Sequence, residues 1–255
     1  MDTPTKIFKK IFEEAKVDPN IIGFFLCGSR GKGFQTKYSD YDTYIIVKDN
    51  VVKNYMERYP FRKYEGVDLV VFSYTEFKNC APWGSSEAFG RYSSSHMKAL
   101  IDKNGKIQEL LDDLAEIPKK YLSKFIAGAL DAYINFLYRS LKCIRDGDIE
   151  AARLEAAFSI PSFLAVIFAI HNGRLRPYYK YLKWELEKHP LSKFPMKPEK
   201  IINGLMRILA NADYKAQQKF LKITEQVLTK EGFGHVFKSW GDDFPWMKTF
   251  TPENK

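Results

Sequence analysis

The chain has 255 residues, of which 45% are hydrophobic and 28% are charged, and its formal net charge is +9. This composition excludes a mostly disordered chain and a collagen-like chain. No stretch approaches the roughly 18 uncharged apolar residues of a membrane span, and the first ten residues lack the apolar core of a signal peptide. We therefore expect neither a membrane protein nor an exported one.

The first hundred residues alternate between helix and strand patterns. Apolar residues three and four apart predict a helix in the first 16 residues, and residues 51–59 are compatible with a second one. Three short runs rich in Ile, Val, Tyr and Phe predict strands at residues 21–27, 41–47 and 67–72. A glycine-rich loop, GSRGKGF, separates the first two strands. This order indicates a mixed sheet flanked by helices.

After about residue 110 only helical patterns remain. They predict helices at residues 121–145, 149–170 (kinked at Pro161), 177–188, 198–211 and 213–230. Helices joined by short links favour a bundle. The predicted fold class is therefore α+β, with a mixed-sheet domain at residues 1–110 and an all-α helical-bundle domain at residues 111–255.

Charge and cysteine content limit the expected partners and the expected cellular compartment. The positive charge lies mostly in residues 121–255, which is typical of a polyanionic partner such as nucleic acid or nucleotide phosphates, or is only a solvated surface. Cys27, Cys80 and Cys143 are far apart and indicate neither a disulfide framework nor a zinc site. A reducing cytoplasm is the simplest interpretation.

Two carboxylates at the start of the second strand are the most informative residues. Asp40 and Asp42 are two apart, and the period of a strand predicts that both lie on one face. Neighbouring carboxylates repel each other unless they share a cation, and Mg²⁺ favours carboxylate oxygens together with substrate phosphates. Just upstream, Gly28 and Ser29 open a loop whose N–H groups and hydroxyl can bind an anion. A glycine turn beside a solvated acidic pair is the alternative.

Asp68 strengthens the first interpretation. It lies in VDLVVF, an otherwise apolar strand, where a lone buried carboxylate is costly without a partner or a metal. The chain between Asp42 and Asp68 is long enough for a helix and a return strand, so Asp68 can reach the same centre. The alternative is an Asp at a strand end that faces solvent. The loop itself lacks the order of a Walker motif or of a dinucleotide fingerprint.

Together these residues resemble the nucleotidyltransferase superfamily typified by DNA polymerase β. Its signature is hG[GS], then DxD about ten residues later, then a third carboxylate on another strand. Residues 26–29 (LCGS), residues 40–42 (DYD) and Asp68 match it. A small catalytic domain followed by a helical bundle is similar to the layout of antibiotic nucleotidyltransferases, which adenylylate aminoglycosides or lincosamides.

The resemblance implies a role for each matching residue. Asp40 and Asp42 would bind Mg²⁺, two ions being expected, and Asp68 would complete the metal site or accept the proton of the acceptor hydroxyl. Gly28 and Ser29 would hold the β- and γ-phosphates. The acceptor oxygen would attack the α-phosphorus of an NTP, with ATP the expected donor, and pyrophosphate would leave.

Four further residues are candidates of lower rank. Arg30 and Lys32 lie in the loop and either neutralise triphosphate charge or are surface charges. Glu155 lies on a mostly apolar helix, and some family members supply a base from the helical domain. The alternatives are an ion pair with Arg153 or its neighbours, and a glutamate at the edge of the bundle. Lys180 lies in a basic aromatic segment and is a candidate phosphate contact, although the spacing of the aromatic residues also suits a core.

The sequence therefore predicts a two-domain, cytoplasmic, Mg²⁺-dependent nucleotidyltransferase with a small-molecule acceptor such as an aminoglycoside or lincosamide. Two alternatives stay open: an acceptor that is protein or RNA, as in toxin–antitoxin nucleotidyltransferases, and a catalytically degenerate nucleotide-binding module. We expect no membrane partner and either a monomer or a homodimer. No sequence motif identifies the acceptor.

Overall fold

The structure is a computed structural model that describes residues 3–252. The chain divides into two compact units, Met1–Glu116 and Ile117–Lys255. The first unit thus includes the whole of the helix Ile107–Leu114, within which the sequence placed the domain boundary.

The first unit is built on a four-stranded mixed sheet. Its strands are β1 (Ile21–Leu26), β2 (Tyr41–Val47), β3 (Val67–Ser73) and β4 (Ala99–Asp102). The strand order is β3-β2-β1-β4. β1 runs antiparallel to both of its neighbours, and β2 runs parallel to β3. The predicted mixed sheet is confirmed, and β4 is an addition that the sequence pattern did not reveal.

The described residues of this unit form the helices α1 (Pro4–Val17), α2 (Gly28–Gly31), α3 (Val52–Arg58), α4 (Tyr74–Lys78) and α5 (Ile107–Leu114). Two 3₁₀ segments cover Asp49–Val51 and Ser86–Ser94. α1 begins where Thr3 Oγ1 accepts a hydrogen bond from Lys6 N, with Pro4 at the first helical position, an arrangement that stabilises a helix start.

The two faces of the sheet pack against different helices. On the face that we call the α1 face, Phe24, Ile45 and Leu69 are buried in a cluster that includes residues of α1 and α3. On the opposite face, the α5 face, Phe25 and Ile46 are buried with residues of α4 and α5. Alternate residues of β2 and β3 thus enter separate apolar clusters, as the period of a strand requires.

The second unit is helical. Its helices are α6 (Lys119–Asp146), α7 (Ile149–Ala169), α8 (Tyr179–Lys188), α9 (Pro198–Asn211), α10 (Tyr214–Lys230), α11 (Gly234–Lys238) and α12 (Asp243–Thr249). Gly147 ends α6 at a φ of 84°, and the Asp148 side chain caps α7 by accepting a hydrogen bond from Ala151 N. Phe163 of α7 stacks on Phe220 of α10, with ring centroids 4.8 Å apart. The predicted α+β fold class is confirmed.

In the described part of the chain, α7 is long and apolar enough to cross a membrane by length and composition alone. Half of its most apolar window is buried within the protein, and Phe163, Leu164 and Ile167 are among its fully buried side chains. Core helices commonly meet the same criterion. α7 continues through Pro161.

Candidate active site

Asp42 and Asp68 lie side by side on the α5 face. The parallel register of β2 and β3 pairs Asp42 directly with Asp68, and both residues are half-buried. Paired residues of neighbouring strands point to the same side of a sheet, on strands that lie about 4.8 Å apart. The structure therefore brings these two predicted carboxylates together, although Asp68 comes from a distant part of the sequence.

Gly28 lies directly against the Asp42 carboxylate. A Cβ atom at position 28 would lie 2.0 Å from Asp42 Oδ2, and the φ of Gly28 is +61°. Both the space and the backbone conformation thus require glycine here. Just before Gly28, the backbone N–H of Cys27 donates to the carbonyl oxygen of Asp42 over 2.8 Å. The start of α2 is therefore fixed against the carboxylate pair.

Asp40 has a different position. β2 begins at Tyr41, so Asp40 lies outside the strand, and the period of two that predicted a shared face with Asp42 does not extend to it. Asp40 is exposed and lines a cleft of about 820 Å³ near Gly66. Among residues 3–252, no group of three or more His, Cys, Asp or Glu side chains is placed to hold a metal ion. Asp42 and Asp68 thus form a pair, and the role of Asp40 as a metal ligand stays a prediction.

The serine and arginine of α2 both contact the segment that leads into β2. Ser29 Oγ donates to Ser39 Oγ over 2.9 Å. The Arg30 guanidinium lies 3.9 Å from the centre of the Tyr41 ring and donates to the carbonyl oxygens of Ser39 and Asp40. These contacts hold the residues before Asp42 against the loop, so Arg30 orients the carboxylate segment in this structure.

The residues of this site lie in a segment that matches a known domain. Residues 6–127 match the family model of the nucleotidyltransferase domain. The chain carries a nucleotidyltransferase domain. The presence of this domain supports an enzymatic function, the transfer of a nucleotidyl group from an NTP substrate. The family generally uses a divalent metal.

Two other comparisons add little to the family match. A crystal structure described as a nucleotidyltransferase-like protein from Exiguobacterium sibiricum 255-15 is 11% identical to this chain. The match covers 95% of this chain and 77% of that chain, with a TM-score of 0.42, a likeness too distant to support a conclusion. A comparison with curated proteins finds no significant match.

Two other side chains of the loop in the nucleotidyltransferase domain are buried. Burial raises the pKa of the Cys27 thiol to about 12, so at neutral pH this residue is protonated and is a poor nucleophile. Lys32 donates from Nζ to the carbonyl oxygens of Tyr92 and Ser95. These hydrogen bonds hold the loop against the end of the Ser86–Ser94 segment. The sequence alone indicates a phosphate contact or a surface charge for Lys32.

The remaining two candidates belong to the second unit. Glu155 Oε1 forms an ion pair over 2.5 Å, which agrees with the ion-pair alternative, although its partner is Arg139 rather than Arg153. Lys180 Nζ lies 4.7 Å from the centre of the Tyr181 ring. Their predicted roles, as a base and as a phosphate contact, stay predictions.

Sequence reasoning missed Ser39, which receives the hydrogen bonds of both Ser29 and Arg30. A serine before an acidic strand start has no distinctive pattern. Only its position one residue before Asp40 offers a signal, since a segment that must hold a carboxylate needs hydrogen-bonding neighbours.

Proposed function

We propose that this chain is a Mg²⁺-dependent nucleotidyltransferase that moves NMP, with ATP the expected donor, onto a hydroxyl of a small-molecule acceptor. Aminoglycoside and lincosamide antibiotics are the acceptors that the sequence resemblance favours. The observation that carries the proposal is the pairing of Asp42 with Asp68 in register, with the start of α2 packed against Asp42 through Gly28.

The donor set suits Mg²⁺. This ion is commonly bound by one or two carboxylates together with the phosphates of its substrate, and Asp42 and Asp68 supply two carboxylates on one face. The missing Cβ of Gly28 leaves space for the Asp42 carboxylate beside the loop. When bound, the ion would offset the negative charge of the triphosphate and stabilise the leaving pyrophosphate.

The chain's own residues would then hold the two substrates. The first N–H groups of α2 have no acceptor within so short a helix, and together with the Ser29 hydroxyl they would bind the β- and γ-phosphates. The acceptor oxygen forms a bond to the α-phosphorus as the bond from the α-phosphorus to the bridging oxygen breaks. Asp68 would complete the metal site or take the proton of the acceptor hydroxyl.

The location and assembly state belong to the same proposal. The three cysteines are free, which supports a reducing compartment such as the cytoplasm. We propose a monomer or a homodimer with no membrane partner.

The experiment is a screen of the four common NTPs against a panel of hydroxylated antibiotics, with pyrophosphate release as the readout in the presence of Mg²⁺ or EDTA. Release that depends on both Mg²⁺ and an acceptor is expected. Nucleotide binding that Mg²⁺ does not affect, with no product from any acceptor, would show that the domain is a degenerate binding module.

One surface favours RNA as a second candidate acceptor. The cleft that Asp40 lines also carries Lys37, Lys63 and Tyr38, and the Tyr38 side chain is 81% exposed. Cations beside an exposed aromatic ring suit single-stranded nucleic acid, because the cations meet the phosphates and the ring stacks on a base. Labelled ATP offered to separate RNA, protein and small-molecule pools decides between the acceptors. Label on RNA alone replaces the small-molecule proposal.

A further inference from the structure

A second cleft opens on the α5 face within the first unit. Its volume is about 350 Å³, at the lower end of the roughly 300–1,000 Å³ typical of small-molecule sites. Aromatic and aliphatic side chains make most of its wall, including Phe25, Tyr44, Phe72, Phe77 and Leu114.

This cleft lies on the same face of the sheet as the carboxylate pair. Tyr44 follows Asp42 by two residues on β2, so it lies on the same face about 7 Å farther along the strand. Phe72 also lies on this face, four residues after Asp68 on β3 and about 13 Å from it along the strand. Cys27, which also lines the cleft, directly precedes Gly28. A molecule with a hydroxyl at the carboxylates can therefore extend its body along this face into the cleft.

The deep wall of the cleft is apolar. Phe25, Phe77 and Leu114 are buried, and the half-buried Tyr44 ring stacks on Phe25 at 5.1 Å and on Phe72 at 6.0 Å. A flat apolar ring gains contact there, whereas polar groups buried without partners lose free energy. Polar side chains also line the cleft, namely Glu87, Arg91, Ser93 and Ser94. This cost therefore falls on the polar edges of a nucleobase or the ammonium groups of an aminosugar that do not reach these side chains.

Arg91 holds the cleft in shape. It is 6% exposed, and its guanidinium donates to the carbonyl oxygens of Ala81, Asp113 and Glu116. These bonds join the loop after α4 to the end of α5, on either side of the cleft. A site that is formed before binding avoids part of the ordering cost.

From these observations we propose that the cleft is the acceptor subsite and selects a hydroxyl-bearing small molecule with a flat apolar or aromatic portion. The inference rests on the proposed function and narrows its acceptor class: polycationic aminosugars without such a portion are disfavoured. It places acceptor selection in the same unit as the carboxylates.

The test uses Gly90→Leu. Gly90 lines the cleft, and a Cβ at this position would meet no atom within 4 Å, so the new side chain occupies open space. Gly128→Leu in α6 is the matched control, since a Cβ at Gly128 also meets nothing within 4 Å. The acceptors are supplied in pairs that share their hydroxyls, such as phenyl and methyl β-glucoside, with kanamycin as the polycationic case.

We expect the wild-type chain to bind phenyl β-glucoside at least tenfold more tightly than methyl β-glucoside, measured by NMR titration with Mg²⁺ and a non-hydrolysable ATP analogue. Gly90→Leu should remove this preference, raise the acceptor KM at least tenfold and leave the Kd of the ATP analogue unchanged. Gly128→Leu should retain the wild-type values.

Each failure has its own signature. If the wild-type chain neither binds the Mg²⁺–ATP analogue nor releases pyrophosphate with any acceptor, the proposed function itself is wrong. If pyrophosphate release is normal but Gly90→Leu changes no acceptor constant, or kanamycin is preferred over the ring-bearing acceptors, only the subsite is wrong. A selective rise in the KM of ATP assigns the cleft to the nucleobase and also overturns the inference.

Discussion

The α1 face and the α5 face of the sheet are formed by the same strands, yet they differ in chemistry. On the α1 face, Phe24 packs against Phe8 and Phe12 of α1, with ring centroids 5.9 and 5.3 Å apart. On the α5 face, the corresponding strands present Asp42 and Asp68 at one end of the sheet. Both faces thus bury an apolar cluster, and the α5 face also carries the acidic pair at one end. A slip of one residue in β2 would exchange the two sets.

The largest effect should come from the α5 face. Asp42→Asn and Asp68→Asn each remove a charge from the proposed metal site, and a loss of several kcal/mol of transition-state stabilisation lowers the rate by about 10³-fold. Mg²⁺-dependent pyrophosphate release measures the loss, and circular dichroism shows whether the fold is retained. Activity near the wild-type level in either folded variant would contradict the site.

Phe24→Ala tests the opposite face. It removes a fully buried ring, and we expect it to lower the free energy of unfolding by about 3–5 kcal/mol. Urea titration measures this change. At a temperature where the variant stays folded, the Kd for the Mg²⁺–ATP analogue should equal that of the wild-type chain. A large change in that Kd would show that the two faces do not act separately.

Gly28→Ala and Gly33→Ala form a matched pair. Both glycines have a positive φ, +61° and +67°, so alanine costs roughly 1–2 kcal/mol of conformational strain in each. A Cβ at Gly33 meets nothing within 4 Å, whereas a Cβ at Gly28 collides with the Asp42 carboxylate. We therefore expect both variants to have a lower Tm from backbone strain, with a further decrease from the clash in Gly28→Ala. Only Gly28→Ala should lose kcat, by about tenfold or more. Equal kcat values would mean that the contact with Asp42 does not position the carboxylate.

The smallest effect concerns pH and the second unit. Burial lowers the pKa of His171 below its ordinary value of 6.5. In the neutral ring, Nδ1 donates to the carbonyl oxygen of Ile167 and Nε2 accepts from the N–H of Lys193. The unfolded chain therefore binds a proton more readily, so this contribution to stability is present above pH 6.5 and is lost as the pH falls through the folded pKa.

Thermal melts at pH 7.5 and 5.5 measure this effect. We expect a lower Tm at pH 5.5 and a smaller difference between the two pH values in His171→Gln, since that variant has no imidazole to protonate. An equal pH dependence in both proteins would assign the acid sensitivity to other groups.

Much of the fold follows from local patterns. The runs that became β1, β2 and β3 have the length and the β-branched content of strands, and α6 and α7 have helical periodicity. β4 has four residues and pairs only with β1. So short an edge strand has too few residues to show alternation, and its existence depends on tertiary packing.

The candidate site was predictable only in part. A carboxylate in the apolar run around Asp68 predicted a partner or a metal, and the strand register places it beside Asp42, where the two carboxylates can share a cation. The position of Asp40 was not predictable, because the first residue of a strand is set by pairing: Tyr41 N donates to the carbonyl oxygen of Gly66, and the strand begins there. The cleft beside Tyr44 depends on the segments that cover the α5 face, which local patterns do not place.

The ladder between β2 and β3 has a consequence for how the chain tolerates change. Asp42 and Asp68 are held together by the hydrogen bonds of two parallel strands, whereas the peptide that links them passes through α3 and an exposed turn at residues 61–63. We therefore expect the geometry of the pair to be independent of the length of this linker. We expect a chain with a flexible insertion in the turn to form the same acidic pair. Two fragments produced by a protease cut in the turn should form it as well.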